Sequence, residues 1–268
     1  RFLSIHKKVF SISGLGFIFI KQGLKATLVR MLIKTMYKFA LGGKNSHVIV
    51  QNPDDKAVVN SIVKVPITLI RGSGVDLSQY EYKEENNGNV KVSMACRLLK
   101  DKGVFEYIDA AKILKQKLPN VEFEIYGDID IHNPASLTND DIKKIKEEGF
   151  VNVYGFSIDI AKVFCDSNIV VLPSYREGLP KVLIEAAACG RAVVTTDVPG
   201  CRDAIEPNVT GLLCEVKDIE SLARMIEKLI IDEKLRNRMG YEGRKLAEQE
   251  FDINKVVEKH FDIYEGRI

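Results

Sequence analysis

Glu177 and Glu185 stand with seven residues between them in the segment P-S-Y-R-E-G-L-P-K-V-L-I-E, residues 173 to 185. A strand that ends at Pro173 and a helix that starts at Pro180 leave Glu177 in the connecting loop; proline is best tolerated in a helix's first turn. Gly178 and Leu179 then present unpaired N–H groups to the same space, a donor set suited to a phosphate or to sugar hydroxyls. Glu185 falls a turn and a half into the helix, among Val182, Leu183, Ile184, Ala186 and Ala187. A carboxylate in such company needs a partner, and a ribose diol with two hydroxyl donors would serve. By themselves the residues equally admit a helix-dipole glutamate and a salt-bridged one.

Other expected strand ends carry polar residues too. Arg97 and Lys102 lie between a strand and the helix after Gly103, where two cations beside a helix N-terminus can clamp a diphosphate. Ordinary solvated surface charges would look the same. Gly127, in Y-G-D, permits a tight turn and close ligand approach. Phe156 follows a further strand and can stack on a base or sit in the core.

These positions need a scaffold, and the pattern from Asn89 onward supplies one. Runs at Val90–Ala95, Val121–Tyr126, Val151–Tyr154, Ile169–Leu172 and Ala192–Thr195 read as buried strands. Between them, Val104–Leu118, Asp140–Glu148, Asp159–Cys165 and Lys181–Cys189 have helical spacing. Strand–helix alternation implies a parallel sheet wrapped by helices, a doubly wound α/β domain. In such sheets ligands bind outside the carboxyl ends of the strands. Helical stretches follow at Ile219–Ile231, Asp232–Glu250 and Asn254–Tyr264. The front reads as strands at Val9–Ser13, Val48–Gln51 and Ile67–Arg71 with a helix over Leu24–Leu41, like the trailing half of another α/β unit. The polar run Glu81–Asn89 reads as a linker or surface loop.

Composition narrows the classes. Of 268 residues, 46% are hydrophobic and 28% charged, as in an ordinary globular protein. The formal charge of +2 argues against nucleic acid as the partner. The five cysteines are odd in number, lack C-x-x-C spacing and stand apart from the four histidines. That argues against a disulfide scaffold or structural zinc site and for a reducing setting. No uncharged apolar run approaches the roughly 18 residues of a membrane span.

The segment from Glu177 to Glu185 resembles the E-x7-E motif of retaining glycosyltransferases of the GT-B fold, family 4 (group 1). The likeness extends over about Ser46 to Tyr264. Residues 97–103 resemble the family's R-L-x-x-x-K-G segment and residues 126–128 its hydrophobic-G-D turn. G-S-G-V-D at 72–76 is similar to the crossing between its lobes, and V-P-G-C-R-D at 198–203 is most like transferases that build lipid-linked glycans, capsule or O-antigen. The resemblance implies one complete Rossmann-like donor lobe plus a partial first lobe: a remnant of the acceptor-side lobe at 1–75, the nucleotide-sugar-binding lobe at 76–252, and a terminal helix at 253–268 that packs back on the first lobe. It implies that Arg97 and Lys102 hold the donor diphosphate and stabilise the leaving group. Glu177 would contact the transferred sugar beside the Gly178 and Leu179 amides, and Glu185 would bind the ribose. Gly127 and Phe156 would line the nucleotide site, and Gly14 and Gly16 would let backbone approach donor phosphate. No cofactor and no metal ligand set are expected. The implied co-substrates are a nucleotide sugar, UDP-linked by family inclination, carrying a hexose or N-acetylhexosamine, and a glycan or polyprenyl-diphosphate-linked acceptor.

Two departures stand out. Ser13 occupies the place where many relatives carry a histidine, and neither His6 nor His47 is in register to replace it. On the usual size of a domain, roughly a hundred residues of first lobe are missing, and a start at Arg1 rather than Met fits a fragment. Lys21, Lys25, Arg30, Lys34 and Lys38 alternate with apolar residues over 21–39 at near-helical spacing. Such a helix suits peripheral contact with an anionic membrane, at the cytoplasmic face for a lipid-linked acceptor, or a core-packed helix with a solvated basic face. Competing readings are a nucleotide-sugar-binding subunit or inactive truncated homologue without turnover, a GT-B epimerase that releases free nucleotide and an altered sugar, and an α/β domain for another phosphate ligand.

Overall fold

The computed structural model describes residues 7–16, 19, 23–86 and 88–268. Two parallel sheets carry it. The first has the order β1-β2-β3, with β1 Lys8–Ile12, β2 Ser46–Val50 and β3 Ile67–Leu69. Helices α1 (Leu24–Leu41) and α2 (Pro53–Ile62) make the crossovers, as parallel neighbours require. The register pairs Phe10 with Val48 and Ile49 with Thr68.

The second sheet has the order β6-β5-β4-β7-β8-β9. Its strands are β4 Lys91–Ala95, β5 Glu122–Tyr126, β6 Asn152–Gly155, β7 Ile169–Leu172, β8 Ala192–Thr196 and β9 Gly211–Cys214. Helices α3 (Val104–Lys117), α4 (Asn139–Glu148), α5 (Ile160–Asp166), α6 (Lys181–Ala188) and α7 (Ile219–Ile231) wrap it, followed by α8 (Glu233–Leu246). Strands β7 and β8 are buried throughout, which is why β7 and the Ala192–Val194 part of β8 read as apolar runs rather than alternating ones. The connections run one way from β4 and the other way from β7, so the crevice between β4 and β7 is the topological switch point where such sheets take ligands.

The chain crosses between the sheets twice, side by side. Val75 N–H donates to Phe251 at 2.7 Å, and Ile253 N–H donates to Val75 at 3.1 Å. Gly74 has φ +79°, and a Cβ there would stand 2.8 Å from Ile253 Cα, so this close passage requires glycine. Helix α9 (Ile253–Glu265) then returns to the first sheet, where Val256 and Ile263 bury against Ile49 and Ile70.

Several expectations shift. Helix α2 and strand β9 were not anticipated; the first is signalled by Asn52, whose side chain caps the helix at Asp55 N–H with Pro53 at its start. The helix expected over Asp232–Glu250 stops at Leu246 and gives way to a wider π turn, Ala247–Phe251. Of the run expected as a linker or surface loop, the described residues 81–86 form a loop beside the second sheet. Its Glu85 pairs with Arg236 at 2.8 Å and accepts from Asn168 at 2.7 Å.

Candidate functional site

The switch point brings the β4 and β7 exits into contact. After β4, Leu98 and Leu99 are buried, and a short 3-10 turn over Lys100–Lys102 ends at Gly103 in the left-handed region. A Cβ at Gly103 would lie 2.2 Å from the Pro173 carbonyl oxygen, so only glycine lets the two exits meet. Asp101 C=O then accepts from Tyr175 N–H at 2.9 Å and Ser174 Oγ at 3.2 Å.

This lacing delivers Lys102 to Glu177. The ammonium stands 2.5 Å from Glu177 Oε1, which also accepts from Ser174 Oγ at 2.7 Å. Both side chains are largely enclosed, at 17% and 15% exposure. The Glu177 amide donates to Pro199 C=O at 3.2 Å, fixing the loop from the far side. Two residues expected to serve different parts of a donor therefore hold each other. Arg97 is separate and open: 64% exposed, with Asp130 at 3.3 Å.

Glu185 is buried in α6, and its partners belong to the protein. Tyr80 O–H donates to Oε1 at 2.7 Å and Lys181 Nζ lies 3.2 Å away, one turn back. Burial and then the bond to Glu185 raise the Tyr80 phenol above its ordinary range, so it stays a donor. Helix α6 begins at Lys181, with Pro180 as its cap rather than its first residue.

Two cavities adjoin these groups. The larger, about 850 Å³, is lined by Arg97, Gly127, Phe156, Lys181 and Glu185, with Tyr80 in its wall. Gly127 must be glycine, since a Cβ would fall 1.8 Å from the Cys96 carbonyl oxygen. Phe156 is 73% exposed at this cavity and so is not a core residue. Cys96 lines it too, but burial pushes its thiol up to about 12, which removes it as a nucleophile near neutral pH. The smaller cavity, about 200 Å³, lies between Gly14, Gly16, Asp101, Arg176, Glu177 and Gly178.

The first sheet closes that smaller space. A Cβ at Gly178 would lie 1.5 Å from the Ser13 carbonyl oxygen, and one at Gly14 would lie 3.3 Å from Gly178 Cα. Among the described residues the Gly178 and Leu179 amides donate to no acceptor. The Leu179 side chain faces away from both cavities, buried toward Gly72. Behind the loop, Arg176 pairs with fully buried Asp55 at 2.6 Å, and Asn52 Nδ2 donates to Gly178 C=O at 2.8 Å. Sequence reasoning passed over Tyr80, Asn52, Asp55 and Arg176. Only the Asn52-Pro53 cap had a local signature.

Other expectations fall elsewhere. His47 is a buried strand residue bonded to Thr68 Oγ1 at 2.8 Å, and burial lowers its pKa. His6 and Lys21 lie outside the described residues. Among the described residues, no cluster of three or more His, Cys, Asp or Glu could hold a metal ion. On α1 only Ala26 and Leu41 are buried, while Leu24, Leu28, Met31, Leu32, Met36 and Phe39 are exposed beside Lys25, Arg30, Lys34 and Lys38. Among the described residues, no helix is long and apolar enough to cross a membrane.

The fold places the chain among two-sheet α/β structures of the GT-B class. Sucrose-phosphate synthase from Thermosynechococcus elongatus superposes with TM-score 0.81 at 23% identity, over 96% of this chain and 67% of that one. Anabaena HepE, in complex with UDP and glucose, gives 0.76 at 21% identity, over 97% and 71%. The model of the glycosyl transferases group 1 family matches residues 79–246, and the chain belongs to that family. It is 31% identical over 268 aligned positions to N,N'-diacetylbacillosaminyl-diphospho-undecaprenol alpha-1,3-N-acetylgalactosaminyltransferase of Campylobacter jejuni, covering 95% of this chain and 69% of that protein. It is 33% identical over 184 positions to the capsular polysaccharide biosynthesis glycosyltransferase CapM of Staphylococcus aureus, covering 69% of this chain but 48% of that protein.

Proposed function

We propose that this chain carries the donor site of a retaining, metal-independent transferase that moves a hexose or N-acetylhexosamine from a UDP-sugar to a lipid-linked saccharide in surface-glycan synthesis. The observation that carries the reading is the meeting of Lys102 and Glu177 at the switch point, where Glu177 lines the smaller cavity. The larger cavity is of a size for a nucleoside, with Phe156 available to stack on the base and Glu185 to accept from the ribose. Arg97 and Lys102 then face the diphosphate, and Glu177 with the Gly178 and Leu179 amides faces the sugar.

In this mechanism the acceptor hydroxyl attacks the anomeric carbon on the face from which the diphosphate departs. The bond from that carbon to the phosphate oxygen breaks as the new glycosidic bond forms, and the acceptor proton passes to the departing phosphate. Charge builds on the diphosphate, and cations held in place before the reaction stabilise it without reorganising. Neither glutamate acts as a covalent nucleophile. The Campylobacter relative's name specifies an undecaprenyl-diphosphate saccharide, and the acid-free basic helix α1 with its exposed apolar side chains suits an enzyme working at the cytoplasmic membrane face.

Calorimetry tests the reading. UDP should bind saturably, better than ADP or GDP, and Glu185→Ala should abolish the binding. Failure of UDP to bind folded protein would overturn it.

A further inference from the structure

The E-x7-E loop is held from behind by the other sheet, and the hold centres on one carboxylate. Asp55 is fully buried. Its Oδ1 accepts from Arg176 Nη2 at 2.6 Å; its Oδ2 accepts from Asn52 Nδ2 at 3.1 Å and from the Leu15 amide at 3.3 Å. Asn52, also fully buried, spends the same Nδ2 on Gly178 C=O at 2.8 Å. The residues on either side of Glu177 are thus gripped by the N-terminus of α2, while Leu15, between Gly14 and Gly16, is gripped by the same carboxylate.

We propose that Asp55, seconded by Asn52, is an inter-lobe latch: a positioning residue that sets the first-lobe glycine loop against Glu177 and Gly178. It touches no donor atom itself. It acts by fixing how the walls of the smaller cavity face each other, and this role rests on reading that cavity as the place of the donor's diphosphate and sugar. The physical reason is that a buried carboxylate needs its charge matched and its lone pairs filled. Asn52 and the Leu15 amide fill lone pairs from within the first lobe, but the matching charge comes from Arg176 of the second, so the need is met in full only when the two lobes are together. A Cβ at Gly178 would collide with Ser13, so the closed contact leaves no slack for an alternative register.

The test uses Asp55→Ala, Arg176→Ala, the double variant, and Asp55→Asn, which keeps the volume should the alanine variant fail to fold. Hydrogen exchange in peptides covering 12–16 and 174–179 should accelerate at least tenfold in each single variant, with β7 and β8 unchanged. The affinity ratio of UDP to UMP should fall at least tenfold while UMP affinity holds. In the double variant no charge is stranded, so thermal stability should return, whereas loop protection and the UDP/UMP ratio should not. Unchanged exchange in the single variants, or recovery of protection and ratio together with stability, would overturn the latch. If the wild-type chain binds neither nucleotide, the donor-site reading fails instead, and the exchange measurement decides the latch alone.

Discussion

Lys102 Nζ and Glu177 Oε1 are 2.5 Å apart although 75 residues separate them in the chain. The cation that would meet a leaving diphosphate is therefore tethered to the carboxylate that would meet the sugar, and a donor must enter by sharing or displacing that bond. Glu177→Gln should lower transfer about 10²–10³-fold, the range seen when a preorganised polar group is removed, while UDP affinity changes little. Lys102→Met should instead weaken UDP at least tenfold. Turnover assays beside calorimetry separate the two effects.

Tyr80 and Glu185 define the second prediction. The phenol fills one lone pair of a buried carboxylate that a ribose would share. Tyr80→Phe should cost about 1 kcal/mol of stability, the usual net value of such a bond, and weaken UDP several-fold. Chemical denaturation and titration on the same preparation measure both.

The glycines sort by what surrounds them. Gly103 (φ +75°) faces Pro173 O at 2.2 Å, whereas Gly16 (φ +74°) has nothing within 4 Å of a Cβ. Gly16→Ala should cost about 1 kcal/mol, the left-handed backbone penalty alone. Gly103→Ala should cost more than about 2 kcal/mol, with a melting temperature lowered by roughly 4–8 °C for a chain of this size.

Thiol reactivity gives a pH prediction. Burial pushes Cys96, Cys201 and Cys214 up to about 12. At pH 8 only about one thiol in 10⁴ is then thiolate. In the native protein these three thiols should resist iodoacetamide at pH 8, react as pH climbs toward 12, and react at once when unfolded. Mass spectrometry of labelled peptides reads the outcome.

Helix α1 makes the last prediction. Binding to anionic vesicles should weaken at least thirtyfold in Lys34→Glu/Lys38→Glu, at about 1 kcal/mol per basic residue near the surface. It should fade with added salt and be absent on neutral vesicles. Absence of binding to anionic vesicles would remove the membrane reading, and equal binding to both types would remove the role of the basic residues.

Much was legible before any coordinates because its causes are local. Apolar runs broken by helical spacing located the strands β4 to β8 and helices α3 to α7 to within a few residues, and the polar residues at their carboxyl ends marked where ligands would enter. Gly103 and Gly127 stand at chain turns that the sequence itself announces. The prolines at 173 and 180 put Glu177 in a loop and Glu185 on a helix.

What the amino-acid order could not determine was company. Arg97 and Lys102 looked alike in the sequence, yet one is solvent-exposed and the other holds Glu177. Asp55 carries no mark in the sequence that separates it from its neighbour Asp54, and it is fully buried against Arg176, 121 residues away. Glu185 was expected to await a ribose, and Tyr80 already serves it. These pairings follow from strand order and from two chain crossings that lay α9 and α2 against their neighbours. Periodicity reports which face of an element is buried; only the packed sheets decide which buried charge meets which partner.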